Sequence, residues 1–275
     1  MKDHYAVIGN PIEHSKSPLI QSYFANETQQ FMDYTTLLSP LDGFEQTVRQ
    51  FFQQHGKGLN VTVPFKLEAW NLCDELSDYA QQAGAVNTLF YQDDGRIYGA
   101  NTDGLGIVRD LMVNNGVTLQ GKRILILGAG GAVRGILQPI MQQQPEQVFI
   151  ANRTAAKAEK LVEHFASFQS VISTLNGGGY EEIPLQSFDL IINGTAASLN
   201  GMLPPIPVEC CQNMQCCYDM MYSDKPTPFV QWGRDNHAVL ALDGLGMLIE
   251  QAAESFQLWR GIRPNTAPVF HLLRP

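Results

Sequence analysis

The chain has 275 residues, enough for two modest domains of roughly 100–200 residues each. Hydrophobic residues make up 44% and charged residues 16%, a balance that excludes a disordered polar chain and permits a large core. A net charge of −9 excludes a broad surface for duplex nucleic acid or an anionic membrane, which would need clustered Lys and Arg, but leaves room for a small anion held by a few local cations.

The first hundred residues alternate strand and helix. Tyr5–Gly9 reads as a buried strand, and Ser17–Gln29 as a helix with Pro18 suited to its first turn. Asp33–Leu38 is strand-like. Leu41–His55 is helical, with Phe44, Val48, Phe51 and Phe52 on one face and Gly56 as its stop. Gly58–Val63 is a third strand, and Phe65–Leu76 and Tyr79–Gln82 are helical. Val86–Tyr91 and Arg96–Gly99 flank Asp94-Gly95, a strong hairpin signal. A helix over Gly104–Asn115 leads into Thr118–Lys122, and the domain boundary falls near it.

A second alternating series follows: strand Arg123–Leu127, helix Ala132–Gln143, strand Gln147–Ala151, helix Ala155–Phe165 and a strand near Ser170–Ser173. Then come strands Asp189–Asn193 and Cys216–Met220, helix Pro228–Asp235 and strand Val239–Asp243, with Ala196–Pro207 as a loop. Such alternation predicts a parallel sheet with helices on both faces. The last long helix, Leu245–Trp259, carries apolar residues at helical spacing and can pack back on the first domain. The expected fold class is α/β. An α/β substrate domain over residues 1–104 is joined by 245–275, and a Rossmann-like doubly wound domain covers 105–244. Glycines cluster at 103–106 and 243–246, where a hinge is expected.

No secretory leader is expected, since Met1–Tyr5 leads straight into a strand-like run, and no apolar stretch approaches the ~20 residues of a spanning helix. A cytoplasmic protein is expected. The five cysteines are Cys73, Cys210, Cys211, Cys216 and Cys217. The odd count speaks against a disulfide framework, and neighbouring cysteines suit a zinc site poorly, so packing is their expected role and no metal is expected.

Arg123–Leu127 is an apolar, β-branched run followed by Gly128-Ala129-Gly130-Gly131-Ala132, after which a helical pattern opens. Glycines let the backbone turn tightly and approach a pyrophosphate, while the helix N-terminus offers free N–H groups and partial positive charge. The third fingerprint glycine would fall at Val133, so the usual spacing is not met. A second strand about 20 residues on supports a dinucleotide site. That strand ends in Asn152-Arg153-Thr154, with Lys157 a turn later, where an NAD site would carry a carboxylate for the ribose 2′-hydroxyl. Arg153 can fork onto a 2′-phosphate and Thr154 can donate to it. The expected cofactor is therefore NADP.

In the first domain, small polar groups end several apolar strands. They are Ser15 and Ser17 after Gly9-Asn10-Pro11, then Asn60–Lys66, then Gly84–Thr88 and Asn101-Thr102-Asp103. Ligands of open α/β sheets bind beyond the carboxyl ends of strands, and hydroxyls and amides gathered there suit a small polyhydroxylated substrate. Lys66 and Asp103 are the one ionisable pair in this set. Hydride transfer to or from a carbinol carbon requires a proton to move on the oxygen, and a lysine oriented by a carboxylate can move it.

These motifs, with Tyr218-Asp219-Met220-Met221-Tyr222 and Gly244–Leu248 followed by Gln251-Ala252-Ala253, occur in one order over nearly the whole chain. Together they resemble the shikimate dehydrogenase family, which reduces 3-dehydroshikimate with NADPH in the route to aromatic amino acids. The resemblance implies Lys66 and Asp103 as a catalytic dyad, and Ser15 and Ser17 as holders of the substrate carboxylate. It implies Thr62, Asn87, Tyr222 and Gln251 as further substrate contacts, Gly128–Ala132 at the pyrophosphate and Asn152–Lys157 at the adenosine phosphate. Met220 and Gly244 would stand beside the nicotinamide, and Asp78 on the cofactor side. Gln21 stands where many relatives carry His, outside this chemistry. The alternatives are a quinate/shikimate dehydrogenase of dual specificity and a non-catalytic NADP-sensing module. A monomer or homodimer with a small-molecule substrate is expected.

Overall fold

The computed structural model describes residues 2–92, 94–166 and 173–274. The chain divides into two units, Met1–Gly106 with Leu248–Pro275, and Ile107–Met247.

The first unit opens with β1 (Asp3–Gly9), α1 (Ser17–Glu27), β2 (Met32–Leu38), α2 (Phe44–Gln53) and β3 (Gly56–Val61). It continues through α3 (Lys66–Leu72), β4 (Glu75–Leu76), α4 (Asp78–Ala83), β5 (Thr88–Tyr91) and β6 (Ile97–Ala100). The sheet order is β2-β1-β3-β5-β6-β4. The β1, β2 and β3 strands run parallel, and the β5–β6 hairpin joins β3 antiparallel. Because β5 runs opposite to β3, its first residue, Thr88, pairs with Asn60 near the end of β3 and with Ala100 at the end of β6. One end of the sheet therefore collects the residues after Gly9, after Val61, before Thr88 and after Ala100.

Helix α2 buries Phe44, Val48, Phe51 and Phe52, as its periodicity predicts. Its stop is not Gly56. The left-handed residue is His55 (φ 67), and Gly56 begins β3 with the Phe51 ring where a Cβ would lie. The helix expected over Phe65–Leu76 ends at Leu72, and Glu75–Leu76 form a two-residue edge strand on Tyr98–Gly99.

The chain passes between the units through α5 (Asp103–Arg109), which continues as a π-turn over Asp110–Asn114. The second unit contains β7 (Arg123–Leu127), α6 (Gly131–Met141), β8 (Gln147–Ala151), α7 (Ala155–Ala166), β9 (Thr174–Gly178), β10 (Leu190–Asn193), β11 (Cys216–Asp219), α8 (Pro228–Asp235) and β12 (Leu240–Asp243). Its order is β12-β11-β10-β7-β8-β9, with every pairing parallel. Numbered within the unit this is 3-2-1-4-5-6, the doubly wound dinucleotide-binding order, whose switch point lies between β7 and β10. The strand expected near Ser170–Ser173 lies, up to residue 172, outside the described residues; the third strand is Thr174–Gly178, and the loop 196–207 holds a 3₁₀ turn at Ala197–Asn200.

The apolar run of β7 forms the centre of this unit's core. Ile124, Leu125, Ile126 and Leu127 are all fully buried, as residues of a strand covered on both faces must be. Within the same unit the buried Asp110 carboxylate accepts from Tyr218 Oη (2.8 Å), which in turn accepts from Met247 N (3.2 Å), tying the π-turn to β11 and to the start of the last long helix. Helix α9 (Leu245–Arg260) carries the chain back to the first unit, and α10 (Ala267–Leu273), which the sequence pattern did not suggest, follows it. In the first unit the fully buried Gln21 donates to Ala252 O (3.0 Å), joining α1 to α9. Arg263 pairs with the fully buried Glu250 (2.6 Å).

The five thiols are free. Burial pushes Cys73 and Cys216 up to about 12 and Cys210 up to about 11, and raises Cys211 and Cys217 as well. The thiolate is the reactive form, so raised values suppress alkylation. At about pH 8 the native protein is expected to react with iodoacetamide far more slowly than the urea-unfolded chain. Equal labelling rates, followed by mass spectrometry, would contradict this packing. Among the described residues no group of three or more His, Cys, Asp or Glu could hold a metal ion, and no helix is long and apolar enough to cross a membrane.

Candidate functional site

The polar end of the first unit's sheet is a connected network. Lys66 opens α3 directly after the turn in which Phe65 N donates to Thr62 O (3.1 Å). Its Nζ donates to Asp103 Oδ2 at 2.5 Å. The Asp103 side chain is only 7% exposed and that of Lys66 22%, so the pair is largely shielded while the lysine keeps an open side. Asp103 Oδ1 accepts from Asn87 Nδ2 (2.8 Å), which also approaches Thr102 Oγ1 (2.9 Å) and Gln251 Oε1 (3.3 Å). Asn101 Oδ1 accepts from Asp103 N (3.1 Å) and fixes the start of α5. Both oxygens of the carboxylate are thus occupied, and the lysine ammonium is held in one place with hydrogens left for a ligand.

The network extends inward. Asn60 donates to Ser255 Oγ (2.9 Å) and accepts from Tyr34 Oη (2.7 Å). Tyr34 reaches the Ser17 hydroxyl, although its burial holds the phenol well above its ordinary range. Ser15 and Ser17 share one turn, where Ser17 N donates to Ser15 Oγ (3.3 Å). Thr62 is positioned by its N–H, which donates to Ile8 O (3.0 Å). The structure therefore brings Lys66, Asp103, Asn87 and Gln251 into one cluster and places Ser15 and Thr62 on loops, and Ser17 at the start of α1, at the same end of the sheet. Tyr222 belongs to the other unit, beyond β11, where burial raises its phenol. Asp78 is the first residue of α4, where a carboxylate complements the helix dipole.

In the second unit β7 delivers the chain into the glycine turn. Gly128 holds φ +107, a conformation L side chains rarely adopt. Gly130 and Gly131 are different: their backbone is ordinary, and a Cβ on either would meet no protein atom within 4 Å. Open space there leaves the backbone bare toward a ligand at the α6 N-terminus, which has no side-chain cap. Val133 stands in place of the third glycine and is fully buried. The room it needs comes from Gly194 after β10, where a Cβ would overlap the Val133 side chain. The missing fingerprint glycine has in effect moved to the neighbouring strand.

Asn193-Gly194-Thr195 carries no signal in the sequence pattern, because only the strand order puts the end of β10 beside the end of β7. Gly194 N donates to Leu127 O (2.8 Å), and Thr195 Oγ1 donates to Asn193 Oδ1 (2.7 Å). At the end of β8, Asn152 donates to Thr154 O (2.9 Å) and shapes the entry to α7, leaving Arg153, Thr154 and Lys157 exposed. No carboxylate lies in the first turn of α7. A bare glycine turn, an uncapped helix start and exposed cations at the second strand suit a dinucleotide with a 2′-phosphate. Gly244 N donates to Met221 O (3.0 Å), and a Cβ on Gly244 would overlap the Met220 carbonyl, so this glycine also has a structural reason.

Three family models match the chain, and several known proteins are similar to it. Residues 7–89 match the model of the shikimate dehydrogenase substrate binding domain, 111–214 that of shikimate / quinate 5-dehydrogenase and 244–269 that of the shikimate 5′-dehydrogenase C-terminal domain. The chain is 55% identical over 275 residues to the shikimate dehydrogenase (NADP(+)) of Alkalilimnicola ehrlichii, covering 100% of both chains. It is 53% identical to that of Laribacter hongkongensis, covering 100% of this chain and 98% of the other. Among solved structures, an Ael1 enzyme from Pseudomonas putida superposes with a TM-score of 0.92 at 45% identity, covering 99% of this chain and 98% of that one. The Thermus thermophilus enzyme in complex with NADP(H) and shikimate gives 0.85 at 29%, with 99% and 98% covered.

Proposed function

The chain belongs to the shikimate dehydrogenase family, and we propose that it reduces 3-dehydroshikimate to shikimate reversibly, with Lys66 and Asp103 handling the proton. NADPH supplies the hydride that the carbonyl carbon receives. The ammonium of Lys66 stands ready to give a proton to the oxygen as negative charge develops on it, and in oxidation the neutral amine takes that proton back. Asp103 aims the lysine and is itself held by Asn87. Ser15 and Ser17 would offer hydroxyls for the substrate carboxylate, and Thr62, Asn87, Gln251 and Tyr222 would serve as contacts for the ring hydroxyls.

On the cofactor side, the Gly128–Ala132 turn would cradle the pyrophosphate, Asn152, Arg153, Thr154 and Lys157 the adenosine phosphate, and Met220 and Gly244 the nicotinamide. We assign the activity to the cytoplasm and to a monomer or homodimer.

The observation that carries the reading is the Lys66–Asp103 pair, shielded yet open on the lysine side. A spectrophotometric assay tests it with 3-dehydroshikimate and NADPH, and in reverse with shikimate or quinate against NADP or NAD. The expected result is rapid turnover with shikimate and NADP and much slower turnover with quinate or NAD. NADPH binding without substrate-dependent oxidation would reject the reading in favour of a sensing module.

A further inference from the structure

One buried charge in the second unit is not used by the chemistry above. Asp219 ends β11 with no solvent exposure, yet its carboxylate gathers four donors. Asn193 Nδ2 (3.0 Å) and Met221 N (3.1 Å) donate to Oδ1, and Ser198 Oγ (2.7 Å) and Thr227 Oγ1 (2.6 Å) donate to Oδ2. These donors come from three separate segments. Asn193 and Ser198 flank the Gly194-Thr195 loop after β10. Met221 follows Met220 in the turn after β11. Thr227 is the N-cap of α8, where its Oγ1 also accepts from Val230 N (3.2 Å). Asn193 passes the constraint on, since its Oδ1 accepts from Thr195 N (3.1 Å) and Thr195 Oγ1. All three segments lie at the carboxyl ends of β10 and β11, on the far side of the switch point from β8.

In a doubly wound sheet the two halves take the two ends of the dinucleotide. The β8 half carries Arg153 and Thr154, so the β10–β11 half faces the nicotinamide. Resting on the family reading, we propose that Asp219 is a positioning residue for the nicotinamide half of the cofactor site, which it shapes by locking the 193–198 loop to the Met220-Met221 turn. It touches no cofactor atom itself. Its action passes through the main chain of Gly194, Thr195 and Met220. A single charge is suited to this, because hydrogen bonds to a buried carboxylate are short and strong, and one anion can hold several neutral donors at once.

The test compares binding of NADP with binding of 2′,5′-ADP, which has the adenosine phosphate end and lacks the nicotinamide, by isothermal titration calorimetry. Asp219→Ala and Ser198→Ala should weaken NADP about tenfold and severalfold, while 2′,5′-ADP is unchanged within about twofold. Asp219→Asn should restore most of the NADP affinity lost in Asp219→Ala, because the Ser198 and Thr227 hydroxyls can turn to accept from an amide. Equal weakening of both ligands would make Asp219 a general structural residue and overturn the proposal, as would unchanged NADP affinity. If Asp219→Ala does not fold, Ser198→Ala and Asp219→Asn decide by the same ratio. Failure of the unsubstituted chain to bind NADP would instead reject the family reading on which the proposal rests.

Discussion

Replacing Lys66 by alanine is expected to lower kcat about 10²-fold or more, with a much smaller change in the KM for shikimate, because general acid–base catalysis is typically worth ~10²–10⁴. The geometry gives the reason for the split. Lys66 Nζ sits 2.5 Å from Asp103 Oδ2, so its place is fixed before any ligand arrives. Substrate affinity would draw mainly on the serine hydroxyls and the amides, which remain. Removing the lysine also leaves a buried carboxylate with Asn87 as its side-chain donor, so some loss of stability should accompany the loss of rate. Thermal unfolding, followed alongside the kinetics, separates the two. Asp103→Asn should slow the reaction to a similar degree, because the lysine then loses its orienting charge. The double variant should be no slower than the slower single one, since the two residues act as one unit. An unchanged kcat in Lys66→Ala would refute the assignment.

The Lys66–Asp103 pair is legible in the sequence because the chemistry proposed for it is simple. Lys66 and Asp103 each stand at a polar strand end, and the alternation of strands and helices implies that such ends gather on one side of a sheet. The cofactor turn is legible for a similar reason: an apolar run, glycines and a helical pattern are all local signals. What escapes is non-local. Two residues, Glu75–Leu76, cannot show alternation, and they are a strand only because Tyr98–Gly99 offer an open edge. β9 contains Asn and two glycines, poor strand formers, and exists because β8 presents a register for it. Glycine is the usual helix stop, which points to Gly56, but here His55 makes the turn and the glycine is needed for the Phe51 ring. Val133 reads as a defect in the fingerprint, yet Gly194, 61 positions on, supplies its space. The side-chain partners of Asp219 are short polar residues spread from Asn193 to Thr227, without spacing that marks them as one cluster. In each case a group outside the local pattern sets the requirement, and the pattern carries no trace of it.

Cofactor choice should turn on Arg153. Arg153→Ala is expected to raise the KM for NADP about 10- to 100-fold while leaving that for NAD nearly unchanged, because one hydrogen bond to a charged group is worth ~1.5–3 kcal/mol. The residue is exposed at the entry to α7, with Lys157 exposed one turn on and no carboxylate in that turn. Cations at a helix N-terminus oppose its dipole, so their presence there favours an anionic ligand. Exposure also sets the condition for the measurement. Salt screens such a contact, so the effect should be largest at low ionic strength and shrink toward the lower figure near ~0.15 M. Lys157→Ala should act in the same direction but less, because an ammonium is a point charge while guanidinium can make two parallel bonds to a phosphate. The ratio of kcat/KM for NADP to that for NAD, measured for both variants at two salt concentrations, checks the account. A parallel loss with both cofactors would place Arg153 in the folding of the β8 loop, since a residue that reads the 2′-phosphate has nothing to read in NAD.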